Sequence, residues 1–208
     1  MDNTKLIESL SLDLKPVTVL RYTTRDYLIT VAIGFFSVLA GLAVSGLRVD
    51  ILTVLASPRF ILETFILLIL ALASSVAALQ MSLPNLNHTK LKWILATTLL
   101  LWLASITYFY FQSNSPIVSQ GFSCSKEIFF VSLFSTLFIY FFTKKSAPLY
   151  RSTLGWIILT SGAAYGAIAT QFSCSVSEPF HLLAWHALPV LIIGFMGLGL
   201  GKIFFNKL

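Results

Sequence analysis

Cys124 and Cys174 are the only two cysteines of the chain, and each stands in the same tetrapeptide, Phe-Ser-Cys-Ser, at 122–125 and 172–175. A thiol pair can form a disulfide, take up a soft metal or be oxidised reversibly, provided the fold brings the sulfurs together. His181 and His186 follow seven and twelve positions after Cys174, with Glu178 nearby. Imidazole joined to thiolate suits ions such as zinc, copper or cadmium. The spacing matches no standard zinc motif, and histidines five apart do not share a face of an α-helix, which turns every 3.6 residues. No serine-protease arrangement, phosphate-binding glycine loop, paired-carboxylate site or cofactor motif accompanies the thiols, so no catalytic residues are expected.

A membrane bundle must position these groups. Of 208 residues, 57% are apolar and 11% charged, where a soluble domain carries about 25% charged residues. The apolar residues form six runs, at about 27–47, 60–80, 91–111, 127–143, 153–173 and 182–205. Their length matches a hydrocarbon core of ~30 Å, in which only helices and closed barrels satisfy their own backbone. The expected fold is all-α: a six-transmembrane-helix bundle over 27–205, preceded by an N-terminal segment 1–26 and followed by a tail 206–208. No cleavable leader is expected, because the first run is too long and starts too late.

Orientation follows from the basic residues. Eleven of the fourteen lie at the N-terminus, the even-numbered loops and the C-terminus, and three (Arg48, Arg59 and Lys126) at the odd-numbered loops. Four acidic residues fall on each side, giving net charges of +7 and −1. Both termini are therefore expected in the cytoplasm, and the overall charge of +6 reports topology rather than direct nucleic-acid binding. Both cysteines fall on the outer side. Each lies about twenty residues from the turn joining the fourth and fifth spans, or roughly 30 Å of helix, so they end at nearly one height. Packed helix axes are about 8–10 Å apart, while a disulfide needs Cα atoms within about 7 Å. A structural disulfide, a reversible redox or metal-sensing pair, and two unpaired thiols all remain open.

Elsewhere the residues suit packing and anchoring. Leu6, Ile7 and Leu10 share one face of a short helix that Pro16 should end, and such a helix must dock on lipid, a loop or a partner. Ser57 can cap and Pro58 open the second span, where Arg59 and Glu63 are one turn apart. Ser37 and Gly41, Gly162 and Gly166, and Gly197 and Gly201 are spaced for close helix contact. Pro189 should kink the sixth span. Trp185 reads as an anchor at the headgroup level, and His88 as a loop residue. The middles of the runs lack the acidic and basic groups that ion-coupled transporters place there.

Taken in order, these features resemble the NrsF-type membrane anti-sigma factors. The resemblance spans nearly the whole chain: Leu6-Ile7 and Leu10 before Pro16-Val17, then Leu47-Arg48-Val49-Asp50, Pro58-Arg59-Phe60, Cys124, Ala147-Pro148, and Cys174 ahead of Trp185. The chain departs from the pattern at Ser173 and His186, where that family often has histidine and tyrosine, and in the polar Ser125-Lys126-Glu127. The resemblance implies an integral protein of the bacterial inner membrane. Its partner would be an extracytoplasmic-function sigma factor, held through the N-terminal segment and released when a heavy-metal ion or an oxidant acts at Cys124 and Cys174. The alternatives are a membrane thiol oxidoreductase working with quinone, which the absence of a Cys-x-x-Cys pair opposes, and a small transporter subunit.

Overall fold

The computed structural model describes Ile7, Ser11 and residues 20–84, 89–112 and 121–205. The described residues form α1 (Thr24–Ser45), a short α2 (Ile51–Leu55), α3 (Pro58–Ser82), α4 (Thr89–Gln112), α5 (Phe122–Thr143), α6 (Arg151–Ser173) and α7 (Pro179–Phe204). Six of these are long and apolar enough to cross a membrane. Leu6, Leu10, Pro16 and His88 lie outside the described residues, whereas Ile7 is helical and exposed.

Local chemistry sets several helix ends. The Asp26 carboxylate accepts hydrogen bonds from both the backbone N–H and the hydroxyl of Thr23, at 2.7 and 2.8 Å, and so starts α1. Gly46 ends it with φ +81°, a conformation that L side chains rarely adopt, while its N–H reaches the Leu42 carbonyl at 2.8 Å. Pro58 opens α3 at a position where its missing N–H costs nothing. Ser57 stands at the cap position in extended conformation, but its side chain makes no capping bond, contrary to the expectation from sequence.

The bundle is built around α6. Its most apolar stretch is 83% buried, against 22–44% for the other five spans, and it packs on α1, α3, α5 and α7. Such centrality requires small residues, because lipid tails provide no hydrophobic drive between helices and backbones must approach closely to gain packing energy. A Cβ on Gly162 would lie 2.6 Å from the Ser132 carbonyl oxygen, and one on Gly166 equally close to that of Ile128. Gly155 meets Gly197 and Gly201 backbone to backbone on α7. All three glycine-bearing runs read from sequence thus contribute, although Gly41 packs on the Val131 side chain rather than on a backbone. Polar contacts at mid-depth are short-range and neutral: Ser75 bonds Ser161 at 2.9 Å and the buried Tyr165 hydroxyl at 3.1 Å. The helix α4 sits at the edge, packed mainly on α3, with the Arg59 guanidinium 4.7 Å from the ring centre of Phe109.

Two ends result. Cys124, Cys174, His181, Arg48 and Arg59 lie at one, here the cysteine end. At the other, Tyr22 reaches the last turns of α3 and α5, and Tyr140 packs against Phe204 and Phe205, so residues 20–23 and the end of α7 meet on the same side. Replacing Gly166 by valine forces its β-carbon against the Ile128 backbone, which has no rotamer to yield. The expected result is a loss of about 1–3 kcal/mol of stability, or failure to fold, read as a lowered unfolding midpoint in detergent beside an unchanged Gly199→Ala control, whose site has open space.

Candidate functional site: a thiol–imidazole cluster

Cys124 sits in the first turn of α5, and Cys174 caps the end of α6. Their sulfurs are 3.2 Å apart as free, half-buried thiols. The hairpin-length argument therefore holds, and Cys174 reaches across because its backbone has turned extended at φ −79°, ψ 121°. His181 Nε2 lies 3.6 Å from the sulfur of Cys124 and 3.3 Å from that of Cys174. His186 completes the group: one donor atom from each of the four residues lies within 4.8 Å of every other. Both imidazoles are almost fully buried, at 1% and 3% exposure.

The pairing of the two histidines overturns the expectation drawn from their spacing. Residues Leu182–Ala187 form a π-helical segment, continuous with Leu188–Phe204. A π-helix bonds residue i to i+5, so positions five apart fall on one face, and the two rings meet with centroids 5.4 Å apart. Pro189 gives a physical reason for irregularity here. It has no N–H to offer the Trp185 carbonyl four residues back, and that carbonyl instead accepts from the Ser125 hydroxyl of α5 at 3.1 Å. The expected disturbance by Pro189 is thus accompanied by a widened turn that is tied to the helix carrying Cys124.

Other groups hold the walls. Arg48, 5% exposed, donates twice to Asp50, at 2.7 and 2.9 Å, and also to the Ser175 carbonyl and the Ser177 hydroxyl, while its own N–H reaches the Phe172 carbonyl at 3.0 Å. It clamps the segment after Cys174 to the loop after α1. The guanidinium in turn holds the Asp50 carboxyl below the usual carboxylate range. Gly121 leaves room for the rings: a Cβ there would fall on the Trp185 indole and 2.7 Å from His181 Cε1. Trp185 is partly buried over this glycine rather than projecting outward as an anchor. Beside the cluster lies a cavity of about 260 Å³, lined among others by Cys174, His186, Arg59 and Glu63. The expected pair of Arg59 and Glu63 forms at 2.9 Å, and Glu63 is buried. Gly121 and the clamping role of Arg48 are what sequence reasoning missed; Arg48 entered there only as one of three basic residues on the less basic side and within the run Leu47-Arg48-Val49-Asp50.

The arrangement suits thiolate chemistry. The Cys174 thiol is held far below its ordinary value, first by the hydrogen bond from Cys124 and then by His181 and His186, against the opposing effect of burial. Two sulfurs and two imidazole nitrogens also fit a four-coordinate borderline or soft ion, whose bond lengths imply ligand–ligand edges of about 3.3–3.8 Å. His186 Nε2 and His181 Nδ1 are buried without hydrogen-bond partners, so the rings are not already committed to the surrounding protein.

An all-helical bundle with six membrane-length helices and a buried cysteine–histidine cluster at one end defines a class of small polytopic protein. The family model described as "Negative regulator of sigma F" (NrsF) matches residues 10–206. The chain belongs to this family, whose description makes it a negative regulator of a sigma factor. Comparison with curated proteins and with solved structures gives no match.

A thiol with a lowered pKa stays thiolate above that value and loses reactivity only as the pH falls through it. The alkylation rate of Cys174 in metal-free protein should therefore stay nearly flat between about pH 8 and pH 6, where an ordinary thiol slows about tenfold per unit. Cys124→Ala removes the principal hydrogen bond and should restore much of that slope, as followed by mass spectrometry of the labelled peptide.

Proposed function

We propose that this protein is an anti-sigma factor of the bacterial inner membrane. It holds an extracytoplasmic-function sigma factor at the cytoplasmic face and lets it go when a metal ion or an oxidant acts at the cysteine end. The observation that carries this reading is the convergence of Cys124, Cys174, His181 and His186 within 4.8 Å, in a chain whose family is named for negative regulation of a sigma factor. The partition of basic residues supports an orientation with that cluster outside and both termini within. The docking surface would be the N-terminal segment, with Leu6, Ile7 and Leu10 as its apolar face. A regulator needs no catalytic residues, which agrees with the absence of a recognisable catalytic set in the sequence.

Either signal would move the two sulfurs away from their present spacing, and that departure, in either direction, would release the partner. A thiolate-bound ion requires a sulfur–sulfur edge of about 3.8 Å, wider than the present 3.2 Å. A disulfide would draw the sulfurs to about 2.05 Å. Either change is applied between the ends of α5 and α6, two helices that pack closely along Gly162 and Gly166 and would carry the displacement along the bundle. At the far end, the Tyr22 hydroxyl interacts with Ser82 Oγ of α3 at 2.9 Å and donates to the Phe142 carbonyl of α5 at 3.3 Å. Tyr22 lies within the N-terminal segment 1–26, close to where it enters α1, so a shift of α5 against α3 is felt at the membrane end of that segment. To turn a mostly held partner into a mostly free one, the signal must favour one state by about 5.5 kcal/mol, within reach of a metal–thiolate site or a disulfide.

Capture of the sigma factor from detergent extract should require residues 1–26, and its release by zinc, cadmium or a mild oxidant should require both thiols. Deletion of 1–26 is expected to abolish capture, whereas Cys124→Ser and Cys174→Ser should capture normally and fail to release. Capture by the truncated chain would refute the docking site, and normal release from both serine variants would reduce the cysteines to structure. Tyr22→Phe removes one hydroxyl at the opposite end. It should leave metal uptake by the cluster intact while blunting release at least several-fold, as read by calorimetry beside the release assay; unchanged release would remove Tyr22 from the path.

A further inference from the structure

Where α1 meets α5, a cleft of about 440 Å³ opens sideways from the bundle. Its walls include Val44, Phe130 and Phe134, and its rim at the cysteine end carries Ser123, Lys126 and Glu127. Phe130 and Phe134 stay 66% and 48% exposed, on a helix apolar enough to cross a membrane. Glu127 lies five residues into α5, about 7.5 Å from its start at 1.5 Å per residue, the depth of the boundary between headgroups and acyl chains.

The acid is only half satisfied. Its Oε2 accepts a hydrogen bond from the Ser173 hydroxyl at 2.5 Å. Its Oε1 is buried and has no partner, and it faces α1 across the cleft, 3.8 Å from where a Cβ of Gly41 would stand. A carboxylate oxygen withdrawn from water without a donor is costly; Glu127 lines the cleft, so a small turn of its side chain brings this oxygen to a donor placed there. The neighbouring Lys126 supplies a positive charge at the same rim, its ammonium 4.7 Å from the ring centre of Phe122. An acid and a base side by side above an apolar slot complement a zwitterion with one chain attached.

We propose that this cleft binds one phospholipid with a zwitterionic primary-amine headgroup, phosphatidylethanolamine. Its ammonium donates to Glu127 Oε1, its phosphate lies toward Lys126 and Ser123, and an acyl chain runs along Val44, Phe130 and Phe134. Phosphatidylglycerol has hydroxyl donors but no cation and a net negative charge, and phosphatidylcholine has a cation but no N–H, so neither brings a charged donor to the carboxylate. The same carboxylate holds Ser173, the residue before Cys174, and stands one turn after Cys124. Lipid occupancy therefore stiffens the wall of the thiol cluster.

The full-length protein in nanodiscs doped with each of the three lipids provides the test, read by native mass spectrometry and by thermal unfolding. The expected result is one retained phosphatidylethanolamine per chain and a melting point raised by that lipid alone. Glu127→Gln should weaken retention about tenfold and erase the headgroup difference, leaving the other two lipids' curves in place. Ala40→Trp, on the α1 wall, fills the cleft while leaving the Glu127 side chain itself unaltered and should abolish retention. It also decides the matter, with the wild-type headgroup comparison, if Glu127→Gln does not fold. Equal retention of phosphatidylcholine, or undiminished retention in a folded Glu127→Gln or Ala40→Trp protein, would overturn the proposal.

Discussion

Everything in this molecule depends on how closely α5 and α7 approach α6. Inside a bilayer there is no water to expel from between helices, so association rests on packing at short range. The glycines of α6 remove the side chains that would hold its neighbours off, and the carbonyls of Ile128 and Ser132 sit where β-carbons would otherwise be. Many phenylalanines lie at the perimeter, where Phe36, Phe65, Phe130 and Phe195 face outward, while Tyr165 of α6 itself is fully buried. The result is a stiff central column with no pathway of charged groups through its middle. What chemistry the chain possesses is displaced to one end of that column.

At that end the same stiffness fixes the heights of Cys124 and Cys174, and three independent ties close the site around them. Arg48 holds the segment after Cys174, Ser125 holds the Trp185 carbonyl, and Gly121 lets Trp185 and His181 lie flat against the start of α5. One tie comes from the loop after α1 and two from the start of α5. The cluster is thus assembled by the whole cysteine end rather than by a local motif, which is why no compact metal-binding signature runs along the chain.

Much of the architecture was legible in the sequence because hydrophobic length and charge bias are summed over many residues. The six spans and the common level of the two thiols follow from counting alone. The histidine pair was not legible: the 3.6-residue period separates His181 from His186, and only the π turn beside Pro189 reunites them. Nothing in composition announces a π turn, since it results from a missing N–H and a hydroxyl on another helix. Arg48 escaped for a similar reason, because its partners Ser175 and Ser177 are more than 120 positions away. Ser57 shows the reverse failure, a residue of the right type in the right place whose side chain is not used for the cap.

The π turn has a consequence of its own. Relative to an α-helix, a π turn holds one surplus residue, accommodated as a local bulge. Passing that surplus along α7 by a single position rotates the intervening residues by about a quarter turn, while the helix below Pro189 need neither bend nor slide. His186 would leave the thiols in such a step and His181 would keep its place. The meeting of His181 and His186 therefore rests on the single surplus residue that the π turn holds. Without that surplus residue the last span would be a plain α-helix, and the cluster would keep one imidazole donor where it now has two.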